Sequence, residues 1–346
     1  KNSGFHSTDH ASGGAGRSMT ETPVLILTET AEISTASSDS GKAGDIILKD
    51  ELRTLTLKEN AAVTSSNTGS GDAGNITVNA LESVMLESAS VTTEAAQGNG
   101  GSISIRTPKL SASGEGSISA SISGGDENKK GGDVSLNVAV LDIRKGSRVE
   151  SSTRGKGAGG EVYVSASDAI TLSGDSTGFY STAGSAGGAG RITAETPVLT
   201  LTDTAEISTA STGSGKAGDI VLKEGLRTLT LREKASVTSS NTGDGDAGNI
   251  TVNAGESVSL DSGSVMTEAA HGKGGNIIVA VPSLRADGNG TISASVREGT
   301  EGGGKIKLDV AHLDLDAGSR IESSTGGDGP GGVISVRASD SVVLAG

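Results

Sequence analysis

The chain repeats itself at an offset of 174 residues: Ala31–Leu48 reads AEISTASSDSGKAGDIIL and Ala205–Leu222 reads AEISTASTGSGKAGDIVL, differing only at Ser38/Thr212, Asp39/Gly213 and Ile47/Val221. The duplication divides the 346 residues into copies 1–174 and 175–346. A single active centre gains little from being duplicated whole, so a tandem copy of this fidelity points to an array whose function comes from repetition.

A shorter period lies inside each copy. A glycine closes a polar loop just before an apolar strand at Gly16, Gly44, Gly74, Gly101, Gly132, Gly160, Gly190, Gly218, Gly248, Gly275, Gly304 and Gly332. The spacings are close to 29 residues, giving six units per copy and twelve in all. The second copy is shorter because the loop Gly124–Asp133 (GGDENKKGGD) has become Glu298–Lys305 (EGTEGGGK) without disturbing the phase on either side, which places that loop outside the core.

Within a unit the apolar residues alternate with polar ones, the period of a strand. The slots are Ile76, Val78, Val84, Leu86 and Val91 in one unit, Ile46, Leu48, Leu55, Leu57 and Val63 in the unit before it, and Val134, Leu136, Leu141, Ile143 and Val149 two units on. No window keeps a helical period. Three short strands cannot bury these side chains alone, but stacked on the next unit they can. The expected fold is therefore all-β: a right-handed parallel β-helix, or β-solenoid, of twelve turns, about 55–60 Å long at the usual strand spacing. A β-sandwich would not produce a fixed period with a glycine at each return. With 54 Gly, two Phe, two Tyr and no Trp, the interior is to be filled by Ile, Val, Leu, Ala and stacked Ser or Thr. Phe5 and Phe179 occupy the same slot in the two copies and are expected to fill gaps in that interior.

Bulk properties exclude several classes. A formal charge of −14 argues against nucleic acid, whose phosphates demand a basic surface, and keeps a long rod apart from its neighbours. Cysteine is absent, which removes disulfides and thiolate metal sites and suits a secreted chain. No apolar run is long enough to span a bilayer as a helix. Lys1 opens in the middle of a unit, and the last unit, Val333–Gly346, stops after two strands. The chain thus reads as a piece of a longer array or as a unit continued by another chain, and ends without polar caps predict end-to-end stacking.

The unit Gly-(Asp/Asn)-Ile-x-(Val/Leu), Leu-x-Leu, Ala-x-(Val/Ile)-(Ser/Thr)-(Ser/Thr) stands here as GDIILKDELRTLTLKENAAVTSSN from Gly44 and GNITVNALESVMLESASVTTEAA from Gly74. It resembles the repeats of filamentous haemagglutinin-like exoproteins of the two-partner secretion system, over essentially the whole chain. The resemblance implies a right-handed β-helical shaft, export across a Gram-negative outer membrane to the cell surface or medium, and roles in adhesion, aggregation or biofilm. The family's amino-terminal secretion domain has no counterpart in these residues.

Candidate sites follow from the repeat. The loops GSGDAGN (Gly69–Asn75) and GDGDAGN (Gly243–Asn249) share the Asp/Gly alternation of calcium-binding β-rolls, but those need a nine-residue iteration. Turn chemistry is the better account, with Asp72 and Asp246 the candidate ligands if calcium, the one cofactor considered, binds. Asp45, Asn75, Asp133, Asp219, Asn249 and Asn276 each follow an anchoring glycine and suit a ladder between turns; the alternative is a row of ligands for a glycan or cation. Ser/Thr runs follow the third strand, as at Ser34-Thr35 and Thr64-Ser65-Ser66. An ice-binding face would need the same Thr-x-Thr on every turn, whereas the strands read TLTLK, VMLES, LDIRK and AITLS. The four histidines, His6, His10, His271 and His312, are replaced by Tyr180, Gly184, Gln97 and Val140 in the sister copy, so no catalytic role is expected of them. Arg53 and Arg227, and Arg148 and Arg320 beside Glu150 and Glu322, are kept in both copies. They suit surface ion pairs, or the binding of an anionic glycan. The sequence therefore predicts a non-enzymatic extracellular rod, with a glycan-binding or glycan-cleaving β-helix as the runner-up.

Overall fold

A computed structural model describes residues 3–223 and 225–346; Lys1, read above as opening inside a unit, lies outside them. Among the described residues there is no helix, and the strands of successive turns pair in parallel, with one isolated antiparallel bridge between Arg232 and Ser262. The third strands of the units form one uninterrupted 12-stranded sheet running from Gly4–Asp9 through Glu32–Ser37 and Ala62–Asn67 to Arg320–Thr325, each strand beside its predecessor and successor in sequence. The first and second strands stack in the same order on the other two faces. The molecule is a parallel β-solenoid of about twelve turns of roughly 29 residues.

The predicted core slots are the observed ones. Ile46, Leu48, Leu55, Leu57 and Val63, and their counterparts Val134, Leu136, Leu141, Ile143 and Val149, are all fully buried. The register places like on like: Ile33 pairs with Val63, Val63 with Val91, Val91 with Ile118 and Ile118 with Val149. Each such residue gains about 1.5–3 kcal/mol from leaving water, but only because the turns above and below close over it.

In several turns the expected three strands become two. Ile103–Ser113, Val134–Arg144 and Val162–Ser173 each run through the first corner as one bent strand, and Ile277–Asp287, Lys305–Leu315 and Val333–Leu344 do so in the second copy. In Ile103–Ser113 the exposed Pro108 and Lys109 turn the corner between the buried Thr107 and Leu110 while Thr107 and Lys109 keep their partners Val138 and Val140 on the next turn, whereas the strands Ile46–Leu48 and Thr54–Lys58 are separated by a polar connection. The variable loop lies outside the core as expected, with Asp126, Glu127 and Asn128 exposed.

Phe179 is fully buried between Val149 and Ile207, as a gap-filler should be. Phe5 departs from that expectation and is 58% exposed. It occupies the equivalent slot, paired with Ile33, but among the described residues its strand is the first of the stack, with no strand on its other side.

The anchoring glycines are where the stack is tightest. A Cβ built on Gly74 would lie 2.0 Å from the carbonyl oxygen of Gly44, one on Gly132 would lie 1.8 Å from that of Gly101, one on Gly160 2.3 Å from that of Gly132, and one on Gly248 1.9 Å from that of Gly218. Gly44 on Gly16 and Gly218 on Gly190 repeat the contact at 2.1 and 1.9 Å. None of these glycines adopts a left-handed φ, so close approach, and not backbone conformation, demands glycine here. Replacing Gly74 with Ala is therefore expected to destabilise the solenoid by about 3 kcal/mol or more through overpacking against backbone that cannot move aside. Gly13, with open space around it, should accept Ala within about 0.5 kcal/mol. Urea unfolding of the two variants checks this, and equal midpoints would refute the account of the column.

Candidate functional site

The corner that carries the glycines is also where the polar residues singled out in the sequence converge. Beside the glycine column runs a row of inward hydroxyls from the third strands. Ser65 Oγ donates to the Gly44 carbonyl at 3.0 Å and accepts from the Gly74 amide at 2.9 Å, spanning two turns. Ser239 does the same between Gly218 and Gly248, at 2.8 and 2.9 Å, and Ser181 between Gly160 and Gly190, at 3.1 and 2.8 Å. Thr35, Thr93, Thr209 and Thr267 each donate to a glycine carbonyl of the column. These buried hydroxyls supply partners that the crowded glycine backbone cannot find in the regular ladder. The Ser/Thr runs expected after the third strands lie within them, and alternate members such as Thr35, Ser65 and Thr93 are thereby committed to the interior.

The Asx residues after the glycines form the expected ladder on the outside of the same corner. Asp45 Oδ1 accepts from the Asn75 amide at 2.8 Å, and Asn75 Oδ1 from the Ser102 amide at 2.9 Å. In the second copy the run is longer: Asp219 Oδ1 accepts from the Asn249 amide at 2.8 Å, Asn249 Oδ1 from Asn276 at 3.0 Å, and Asn276 Oδ1 from Lys305 at 3.1 Å. Asp133 serves the Glu161 amide at 2.7 Å. Each side chain replaces a carbonyl that the turning backbone does not present.

Asp72 and Asp246 belong to a second such ladder. Asp72 Oδ1 accepts from the Asn99 amide at 2.7 Å, and Asn99 Oδ1 in turn from Lys130 at 3.1 Å; Asp246 Oδ1 accepts from the Lys273 amide at 2.8 Å. Among the described residues no group of three or more His, Cys, Asp or Glu comes together as a metal site would require. Asn67 and Asn241, not singled out in the sequence, plug the next corner. Asn67 Nδ2 donates to the Gly41 carbonyl while its Oδ1 accepts from Gly69, and Asn241 repeats this with Gly215 and Gly243. Their signal was present as the Asn-Thr-Gly that closes the third strand of the same unit in both copies.

The remaining candidates lie apart on the surface. Arg53 pairs with Glu82 and Arg227 with Glu256, one turn on in each case. Arg148 lies 3.3 Å from Glu150, and Arg320 lies 3.0 Å from Glu322. The Arg148 guanidinium also sits 4.0 Å over the Tyr180 ring, where burial pushes the phenol up to about 12. His6, His10 and His312 each meet a serine hydroxyl of the following turn, Ser34, Ser38 and Ser341, at 2.8, 3.0 and 3.1 Å. His271 is exposed. These groups are not brought to a common point.

Two shallow grooves follow the turns. One, of about 560 Å³, lies over the Asx ladder between Arg191 and Ile278. The other, of about 270 Å³, lies on the outside of the 12-stranded sheet and is lined by Ser119, Ser121 and Ser152 between Glu94, Glu150 and Arg154. No helix among the described residues is long and apolar enough to cross a membrane. No family model matches the chain, and no curated protein or solved structure is significantly similar to it. What the fold and the corner define is the class: a β-solenoid whose polar side chains tie turn to turn.

Two measurements test this view of the polar residues. Burial works to raise the Asp219 carboxyl, but the Asn249 amide and Lys216 together hold it below the usual carboxylate range. Its contribution to stability is thus complete above the unfolded value, about 3.9, and is lost as pH falls through the folded value. Asp219→Asn keeps the accepting oxygen and removes the titration. It should unfold within about 0.5 kcal/mol of the parent at pH 7 and show a shallower loss of stability below pH 4. Asp219→Ala should cost about 1 kcal/mol at pH 7. Identical acid limbs for the parent and Asp219→Asn would refute the assignment. For Asp72 and Asp246, a chelator is expected to leave the melting temperature unchanged; a fall of several degrees, reversed by calcium, would return them to the role of ligands.

Proposed function

We propose that the protein is a load-bearing segment of an extracellular rod, the shaft of a bacterial surface adhesin or the subunit of a surface filament. The observation that carries this reading is the uninterrupted 12-stranded sheet in one-to-one register, tied at every return by the glycine column. Such a stack makes length by adding turns, and each turn contacts only its neighbours. The apolar lumen and the repeated backbone hydrogen bonds transmit load along the axis and hold a distal or lateral binding surface away from the cell.

The resemblance to filamentous haemagglutinin-like exoproteins supports the same reading and supplies the location: the surface or surroundings of a Gram-negative cell, with neighbouring cells or surface glycans as partners. The net charge of −14 favours dispersed rods over lateral clumping and disfavours nucleic acid as a partner. Absence of cysteine is compatible with export as an unfolded chain. No catalysis is assigned.

Electron microscopy of the native material tests the proposal. Long fibres of uniform width are the expected result. Discrete short rods that depolymerise acidic polysaccharide would overturn it in favour of a glycan-cleaving β-helix.

A further inference from the structure

The last inward position of the third strand stacks from turn to turn at the return corner, and in each copy one hydroxyl of that column is stranded. Ser37 and Ser211 are 2 and 1% exposed, and neither side-chain oxygen has a partner among the protein groups. A buried hydroxyl is costly to leave in that state.

The turn after Ser211 shows what the position requires. Ser211 pairs with Asn241, and the two returns have one length: Ser211 lies seven residues before Gly218, and Asn241 seven before Gly248. Asn241 Oδ1 accepts from the Gly243 amide at 2.8 Å, and its Nδ2 donates to the Gly215 carbonyl at 2.6 Å. One turn earlier the Gly213 amide and the Gly187 carbonyl hold those places. The returns stack directly there: a Cβ on Gly243 would lie 2.5 Å from the Gly213 carbonyl oxygen, and one on Gly215 would lie 2.3 Å from that of Gly187. Asparagine carries three heavy atoms beyond Cβ and serine one, so Ser211 reaches neither group. The two missing atoms amount to roughly the volume of one water in the liquid, about 30 Å³.

We propose that a single buried water completes the corner at Ser211, standing where the Asn241 amide stands one turn on. The site offers an N–H that donates, a carbonyl that accepts and a hydroxyl that does either. Three such partners suit a neutral molecule that both gives and takes hydrogen bonds. A cation would ask for acceptors alone, and an anion for donors alone. Ser37 stands in the same relation to Asn67, its neighbour in the sheet, whose amide bonds Gly41 and Gly69. The column thus takes serine or asparagine in returns of one length, with a water making up the difference.

A crystal structure of the 346-residue chain at about 1.5 Å, with melting of one variant, tests this. The expected density is one water within about 3.2 Å of Ser211 Oγ, the Gly213 nitrogen and the Gly187 oxygen. In Ser211→Asn the new amide should displace it. Ser211→Ala separates a hydroxyl bonded to water from a stranded one. Loss of the bonded hydroxyl should lower the melting temperature by about 1–2 °C, whereas loss of a stranded one would leave it unchanged or raise it. No water at Ser211, a water that persists in Ser211→Asn, or Ser211→Ala melting at or above the parent would overturn the proposal. None of these outcomes bears on the rod reading, which imaging of the native material decides.

Discussion

The structure depends on one contact: a glycine of each turn lies against the carbonyl of the glycine one turn before, at a distance that leaves no room for a side chain. The contact sets how the return of each turn nests on the last. It crowds the backbone there, and the surrounding polar residues answer that crowding. Ser65, Ser181 and Ser239 reach inward to bridge successive glycines, while Asp45, Asn75, Asp219 and Asn249 reach across outside to the next turn's amides. A buried amide left unpaired costs about 1–3 kcal/mol, so the composition of the corner follows from its geometry. What reads in the sequence as a Gly-rich, Ser-rich, low-hydrophobicity chain is the material of a tightly stacked corner.

A second corner works by a different device. Between the second and third strands, Glu59 and Asn60 both have positive φ, as do Asp203 and Thr204, and Glu233 and Lys234. Ala61 donates back to the Lys58 carbonyl at 3.0 Å, Ala205 to Thr202 at 3.0 Å and Ala235 to Arg232 at 2.9 Å, closing two-residue turns that usually take Asn-Gly. Charged residues in the left-handed region cost about 1 kcal/mol each relative to glycine. Here the side chains stay in water at the outer edge of the stack, where charge keeps rods soluble. The inner corner is glycine because contact forbids a Cβ, and the outer corner is polar and charged because its side chains face water.

Fold, period, turn count and core slots were legible in the sequence because they depend on spacing. A period of two inside a period of about 29, marked by glycine, admits few solutions, and the slots at Ile76, Val84 and Val91 are where that arithmetic put them. Less legible was the fusion of strands at Ile103–Ser113 and Val134–Arg144, where the inward alternation slips by one residue at the corner, between Thr107 and Leu110 and between Val138 and Leu141, while the strand carries on. The left-handed turns were hidden because Glu-Asn, Asp-Thr and Glu-Lys lack the glycine that usually marks them. The Ser and Thr runs were visible as runs. Which members face in could be read only once the glycine column located their partners. Phe5 shows the limit of slot-by-slot reasoning: its place is that of Phe179, but burial is a property of two adjacent turns and not of a residue.

That dependence on neighbours also explains how the two copies have diverged. In a stack whose turns contact only adjacent turns, a change is constrained by what lies directly above and below it. The glycines, hydroxyls and aliphatic slots have such neighbours in both directions, and they are retained. Tyr180 and His6 share a slot on the outer face, where one lies under Arg148 and the other meets Ser34, and each is accommodated without altering the column behind it. The loop Gly124–Asp133 changes length at the rim without disturbing the phase on either side. Selection on such a chain acts on the vertical contact between turns, and its outer surface is free to vary wherever that contact is kept. A rod built this way can alter what it displays without altering how it stands, which suits a shaft better than a catalytic cleft, whose chemistry would have to be held fixed on the same surface.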